Sequence, residues 1–90
     1  MHTTEDKQPL KRKIPEEIRE QLIAAIDAEI KGEFVQRHKL NEISPSFPYH
    51  HRTMANRDSL KTGPAGAFTI GKHKVYRKAA LLNMLRSDLS

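Results

Sequence analysis

Apolar residues are scarce before residue 14 and fall into periodic patterns after it. The opening stretch MHTTEDKQPLKRK is polar and aperiodic, which predicts a flexible tail over residues 1–13. From there Ile18, Leu22, Ile26 and Ile30 recur every four residues, with Ile23 seven before Ile30. That spacing predicts an amphipathic helix over 15–33. Pro15 suits its first turn, and Glu16, Glu17 and Glu20 lie near the positive end of its dipole. Ala24, Ala25 and Ala28 add helix propensity, and Gly32 is a stop. The stripe of Ile18, Leu22, Ile26 and Ile30 serves either core packing or a seam with a second copy or a partner protein.

A shorter helix is expected from Arg37 to Ile43, with Val35, Leu40 and Ile43 apolar. Ser44-Pro45-Ser46-Phe47-Pro48 then breaks it with a stiff turn. A third helix is expected over about 50–60, with Met54, Leu60, Tyr49 and the Arg57 stem on its inner side. Lys61-Thr62-Gly63-Pro64-Ala65-Gly66 is a turn. Phe68 and Ile70 alternate with Thr69, and Val75 and Tyr76 favour strand, so residues 67–76 predict a β-hairpin. Gly71 supplies its positive φ, and Lys72-His73-Lys74 is expected at the tip. Leu81, Leu82, Leu85 and Leu89, with Met84 beside them, predict a closing helix over 78–89. The fold class is mainly α with a small β-hairpin, in a single domain over 14–90.

Composition narrows the chemistry. The 90 residues include no cysteine, which excludes disulfides, thiolate zinc sites and thiol catalysis. No apolar run approaches a membrane span and no signal-peptide core follows Met1, so a cytoplasmic protein is expected. The net charge of +5 is unevenly spread. Residues 1–33 hold six basic and eight acidic residues, a net −2, whereas residues 34–90 hold ten and three, a net +7. Four of the five histidines fall in the second part. A basic surface of this kind favours an anionic partner, nucleic acid before membrane.

Enzymatic patterns are weak. Gly66 to Lys72 fits a phosphate-loop spacing, but His73 stands where Ser or Thr is required, and strands stand where the helix should follow. His50 and His51 are adjacent and point about 100° apart on a helix, a poor chelate. No nucleophile elbow is present, and Glu16, Glu17 and Glu20 are helix-end charges. No enzyme, no cofactor and no metal site is expected.

The nucleic-acid pattern uses more of the chain. A helix turning into a second short helix places side chains in a major groove. Here the second helix carries Arg52, Asn56 and Arg57, residue types that pair bidentately with guanine and adenine. His50, His51 and Thr53 lie near its start, where phosphate is favoured, and Lys61, Lys72, His73 and Lys74 are candidate phosphate contacts. Lys11-Arg12-Lys13 is either a solvated charge run or an arm reaching the duplex.

Arg52-Thr53-Met54-Ala55-Asn56-Arg57, the Gly63-Pro64 turn, Phe68-Thr69-Ile70-Gly71-Lys72, Val75-Tyr76-Arg77-Lys78 and Leu81-Leu82 occur in an order that resembles the excisionases and AlpA-type phage regulators of the MerR-like superfamily. The resemblance covers about residues 38–89. It implies a winged helix-turn-helix: the helix-turn-helix at 37–60, a wing at 67–76, and the helix at 15–33 as an addition. In that family the second helix enters the major groove and the wing touches the flanking groove. The family's first helix carries an alanine-rich E-x-A-x-x-L-G-V pattern, where this chain has Lys39-Leu40-Asn41-Glu42-Ile43 and a longer, proline-rich turn.

The expected function is sequence-specific binding of double-stranded DNA, as a transcriptional regulator or excision factor of a phage or mobile element, associated with the nucleoid when bound. The alternative is an adaptor that binds a partner protein through the 15–33 helix. RNA binding ranks third, because Tyr49, Phe68 and Tyr76 are too few aromatics for a stacking platform.

Overall fold

A computed structural model describes residues 14–90. The expected tail and its Lys11-Arg12-Lys13 run lie outside the described residues. The elements are α1 (Glu16–Glu29), β1 (Phe34–Gln36), a 3-10 turn (Arg37–Lys39) running into α2 (Leu40–Ile43), α3 (His51–Ser59), β2 (Phe68–Ile70), β3 (His73–Arg77) and α4 (Lys78–Leu89). Four helices thus accompany a three-stranded antiparallel sheet of order β1-β3-β2.

α1 begins with Arg19 N–H donating to the Pro15 carbonyl at 3.0 Å. It ends before residue 33, because Ile30 turns extended, at φ −91° and ψ 106°, and drops its side chain into the core. The last turn of α1 carries no basic residue, and α4 supplies one. Lys78 Nζ donates to the carbonyls of Asp27 at 3.2 Å and Ile30 at 2.9 Å, and pairs with the Asp27 carboxylate at 2.8 Å. A cation at this end complements the helix dipole. The buried face of α1 is Ile23, Ile26 and Ile30 with Leu22 half-buried; Ile18 is 51% exposed. Repeated four-residue steps drift on a 3.6-residue helix, so Ile18 stands about 80° around α1 from Ile26. Of the stripe, Ile26 and Ile30 are fully buried in the core of the fold.

The strand β1 was not expected. Its three residues pair with the far end of the chain, Phe34 opposite Arg77 and Val35 opposite Tyr76. One buried residue in three leaves no alternation to recognise. The small hairpin of the sequence pattern is therefore two-thirds of a sheet, with β3 at its centre.

Ile23, Ile26, Ile30, Val35, Leu40, Phe47, Met54, Tyr76, Leu81, Leu82, Met84 and Leu85 form one core. Leu60, expected on the inner side of α3, is 64% exposed, and Ile43 is exposed as well. The proline turn is held by Glu29, which accepts from Ser44 Oγ at 2.7 Å, Ser46 N–H at 3.1 Å and Ser46 Oγ at 2.8 Å. These hydrogen bonds, that from Ser44 foremost, hold the Glu29 carboxyl below the usual carboxylate range.

A candidate nucleic-acid interface

α3 is positioned by polar contacts on both flanks. At its start Asn41 acts as a clamp: its side-chain amide donates to the Tyr49 carbonyl at 2.8 Å, and its oxygen accepts from His51 N–H at 2.9 Å. His50 caps the helix, its Nδ1 accepting from Arg52 N–H at 3.1 Å. Two first-turn donors are thereby used within the chain, so the bare helix terminus offers less to a phosphate than expected.

The inner side of α3 carries two ion pairs. Asp58 Oδ2 accepts from Arg37 Nη1 at 2.7 Å and from the hydroxyl of the fully buried Tyr76 at 2.6 Å, joining α3, the 3-10 turn and β3. Burial first, then the Asp58 carboxylate, push the Tyr76 phenol well above its ordinary range. A Cβ on Gly63 would collide with the same carboxylate, so a larger residue there would have to displace Asp58 from its partners. Arg57 grips Asp88 of α4 through Nη1 at 2.5 Å and Nη2 at 3.3 Å, donates Nε to the Thr62 carbonyl at 3.1 Å, and stacks over the Tyr49 ring at 5.6 Å. Tyr49 donates its hydroxyl to Asp88 at 2.8 Å.

This corrects the role expected for Arg57: its guanidinium is spent inside the fold and does not reach outward to a base. Helix geometry explains why. Position i+5 lies about 140° around the helix from position i, whereas i+4 and i+7 lie within about 40°. The outward stripe is accordingly Arg52, Asn56 and Ser59 with Thr53 beside it, all exposed.

The basic residues of the hairpin are also redistributed. The pairing of Ile70 with His73 leaves Gly71-Lys72 as a two-residue loop. Gly71 has φ +62° while Lys72 does not take positive φ, as in a type II′ turn. Lys72 alone is the charged tip; His73 and Lys74 lie in β3 and point to opposite sheet faces. His73 is exposed, and Lys74 is half-buried on the side of Tyr76. Lys61 ends α3 in the left-handed region at φ 63°. Its N–H reaches the Asp58 carbonyl at 3.1 Å and Thr62 N–H reaches Arg57 at 2.8 Å, a Schellman closure with lysine where glycine is usual. Lys61 is exposed, but at the opposite end of α3 from His50 and His51.

The structure brings together residues that the sequence scatters. The His38 ring, on the 3-10 turn, stacks on His73 of β3 with centroids 4.5 Å apart, and His50 lies against His51 at 4.2 Å. His51 is held below the usual imidazole range by partial burial and then by the nearby His50, Arg52, His38 and Arg37. The stacked His38–His73 pair joins the hairpin to the 3-10 turn, and His51, at the start of α3, lies close enough to His38 to feel its charge. His38 was not among the expected site residues. Its stacking partner is 35 positions away, and no local signal marks it.

Elsewhere, Asp27, Glu33, Phe34, Arg77, Lys78 and Leu82 line an open cleft of about 410 Å³ between the end of α1 and the start of α4. α3 contributes nothing to it, and its charges are mixed. Among the described residues, no three His, Asp or Glu side chains converge as metal ligands. No helix among them is long and apolar enough to cross a membrane. The chain matches no protein-family model, no curated protein and no solved structure.

Proposed function

We propose that the domain is a winged helix-turn-helix that binds double-stranded DNA sequence-specifically, with α2 and α3 as the helix pair and the β2–β3 hairpin as the wing. The observation that carries this reading is the outward stripe of α3. Arg52, Thr53 and Asn56 are exposed on one helix face, and no acidic residue of α3 shares it, because Asp58 faces inward. Bidentate donors and acceptors on an otherwise unoccupied helix face are what major-groove readout requires. Arg52 and Asn56 are assigned to base edges, and Lys72, His73 and Lys61 to phosphates. The role proposed with it is that of a regulator or excision factor of a mobile element.

The test is selection from a random duplex pool at several salt concentrations. An enriched motif, with affinity falling steeply with salt, supports the reading. Arg52→Ala then relaxes one base position by about 1–3 kcal/mol. Lys72→Ala weakens all sequences evenly and lowers the salt slope by about one. Recovery of no motif sinks sequence-specific readout.

A further inference from the structure

The four histidines of the described residues come from three places and form two pairs, which His51 and His38 bring within electrostatic reach of each other. His38 lies on the 3-10 turn, His50 and His51 at the start of α3, and His73 at the start of β3. They form two ring-on-ring pairs, with centroids 4.5 and 4.2 Å apart. His51 lies close enough to His38, Arg37 and Arg52 to feel their charge. The other charges on the elements around them are mostly positive: Arg37 and Lys39 on the 3-10 turn, Arg52 on α3, Lys72 in the hairpin loop and Lys74 on β3. Two acidic residues stand on these elements. Asp58 is occupied by Arg37 and Tyr76, and Glu42, on α2, is exposed. Among the described residues no carboxylate forms an ion pair with any of the four imidazoles.

Positive neighbours disfavour the charged form of an imidazole, and an anion laid beside it favours that form. His50 contributes differently: its Nδ1 lone pair is used by Arg52 N–H, so while it caps α3 its ring hydrogen sits on Nε2, the donor it offers to an anion.

We propose that this histidine cluster is a proton-linked phosphodiester site, so that the domain takes up protons as it binds the DNA backbone and binds more tightly as pH falls. The inference rests on the DNA-binding reading and adds its regulation. The ligand is the phosphate chain rather than the bases, so the pH effect is shared by all sequences. Each imidazole whose proton affinity rises about tenfold on binding tightens binding by up to about tenfold as pH falls through its titration, and two such groups by up to about a hundredfold.

The experiment is titration of a fluorescent random-sequence duplex with the full chain at about pH 6 and pH 8, at constant ionic strength, where duplex DNA itself does not titrate. Calorimetry near pH 7 in two buffers of different ionisation enthalpy reads proton uptake directly. A tenfold or greater gain at the lower pH, with uptake of about one proton or more, supports the site. The variant carrying His38→Gln, His50→Asn, His51→Gln and His73→Gln, in which asparagine keeps a cap on α3, should bind with a pH ratio near one, whatever affinity it retains. Binding that is equally tight at both pH values, with no proton uptake, overturns the site and leaves the DNA reading standing. Absence of binding at either pH, even at low salt, overturns both. The wild-type calorimetry decides the matter should the fourfold variant fail to fold.

Discussion

The Tyr76 hydroxyl is the sharpest test of how α3 is held. Tyr76→Phe removes one oxygen and leaves the buried ring in place, so no cavity opens. The lost bond is a 2.6 Å donation to Asp58, a carboxylate also held by Arg37 at 2.7 Å. A hydrogen bond to a charged group contributes about 1.5–3 kcal/mol. Against a total of roughly 5–12 kcal/mol for a domain of this size, that is a large fraction. It corresponds to a fall in Tm of about 6–24 °C. Urea denaturation followed by circular dichroism measures it, with the m-value expected to stay constant. The pH dependence gives a second check. The folded-state phenol ionises well above the unfolded one, so its contribution is complete below about pH 10 and is lost as pH rises further. Wild-type protein should therefore weaken in that alkaline range more steeply than Tyr76→Phe. A loss under about 0.5 kcal/mol, or identical alkaline limbs, would show that Asp58 does not tie α3 to β3 through Tyr76.

Arg57→Met should destabilise by about 1–3 kcal/mol, because Asp88 then keeps only Tyr49; below the Tm its base preferences should match wild type. Altered preference at one base position would return Arg57 to the reading face. Glu29→Gln should flatten the acid limb of the stability curve. The folded-state carboxyl is lowered, so its contribution is present above the ordinary carboxylate range and is lost as pH falls through the folded value. Parallel acid limbs in the two proteins would refute the clamp on Ser44 and Ser46. Lys61→Gly should raise stability by about 0.5–1 kcal/mol by relieving the positive φ; a drop in chemical denaturation would show that the lysine side chain contributes more than the backbone strain costs.

What could be read from the residues was local. Leu81, Leu82 and Leu85 announced α4 with its bounds, and Met54 announced the inner side of α3, because periodicity records burial on a helix. The hairpin followed from Gly71 and the alternation around it. The start of α1 was legible in Pro15 and its acidic turn, but its end was not, since Lys78, far along the chain, caps it. β1 was hidden for the same reason: three residues become a strand only when β3 lies beside them. Within the candidate interface, Arg52 and Asn56 shared a face by simple helix arithmetic, which also separates Arg57 from them. The ties from Asp58 to Tyr76, from Arg57 to Asp88, and from His38 to His73 join residues 18 to 35 positions apart. Sequence spacing carries no trace of such pairs.

The central place of β3 has a consequence for how the chain acquires its shape. Both other strands pair with it, and α4, which follows it directly, packs against α1. Until residues 73–89 are present, β1 has no neighbour and the apolar side of α1 has no cover. Bringing Phe34 to Arg77 closes a loop of about forty residues, at an entropic cost of roughly 3 kcal/mol. That cost is met before most of the core forms, so folding should be all-or-none and slower than in a helical bundle of equal length. A fragment that stops before β3 should show fleeting helix in α1 and little else.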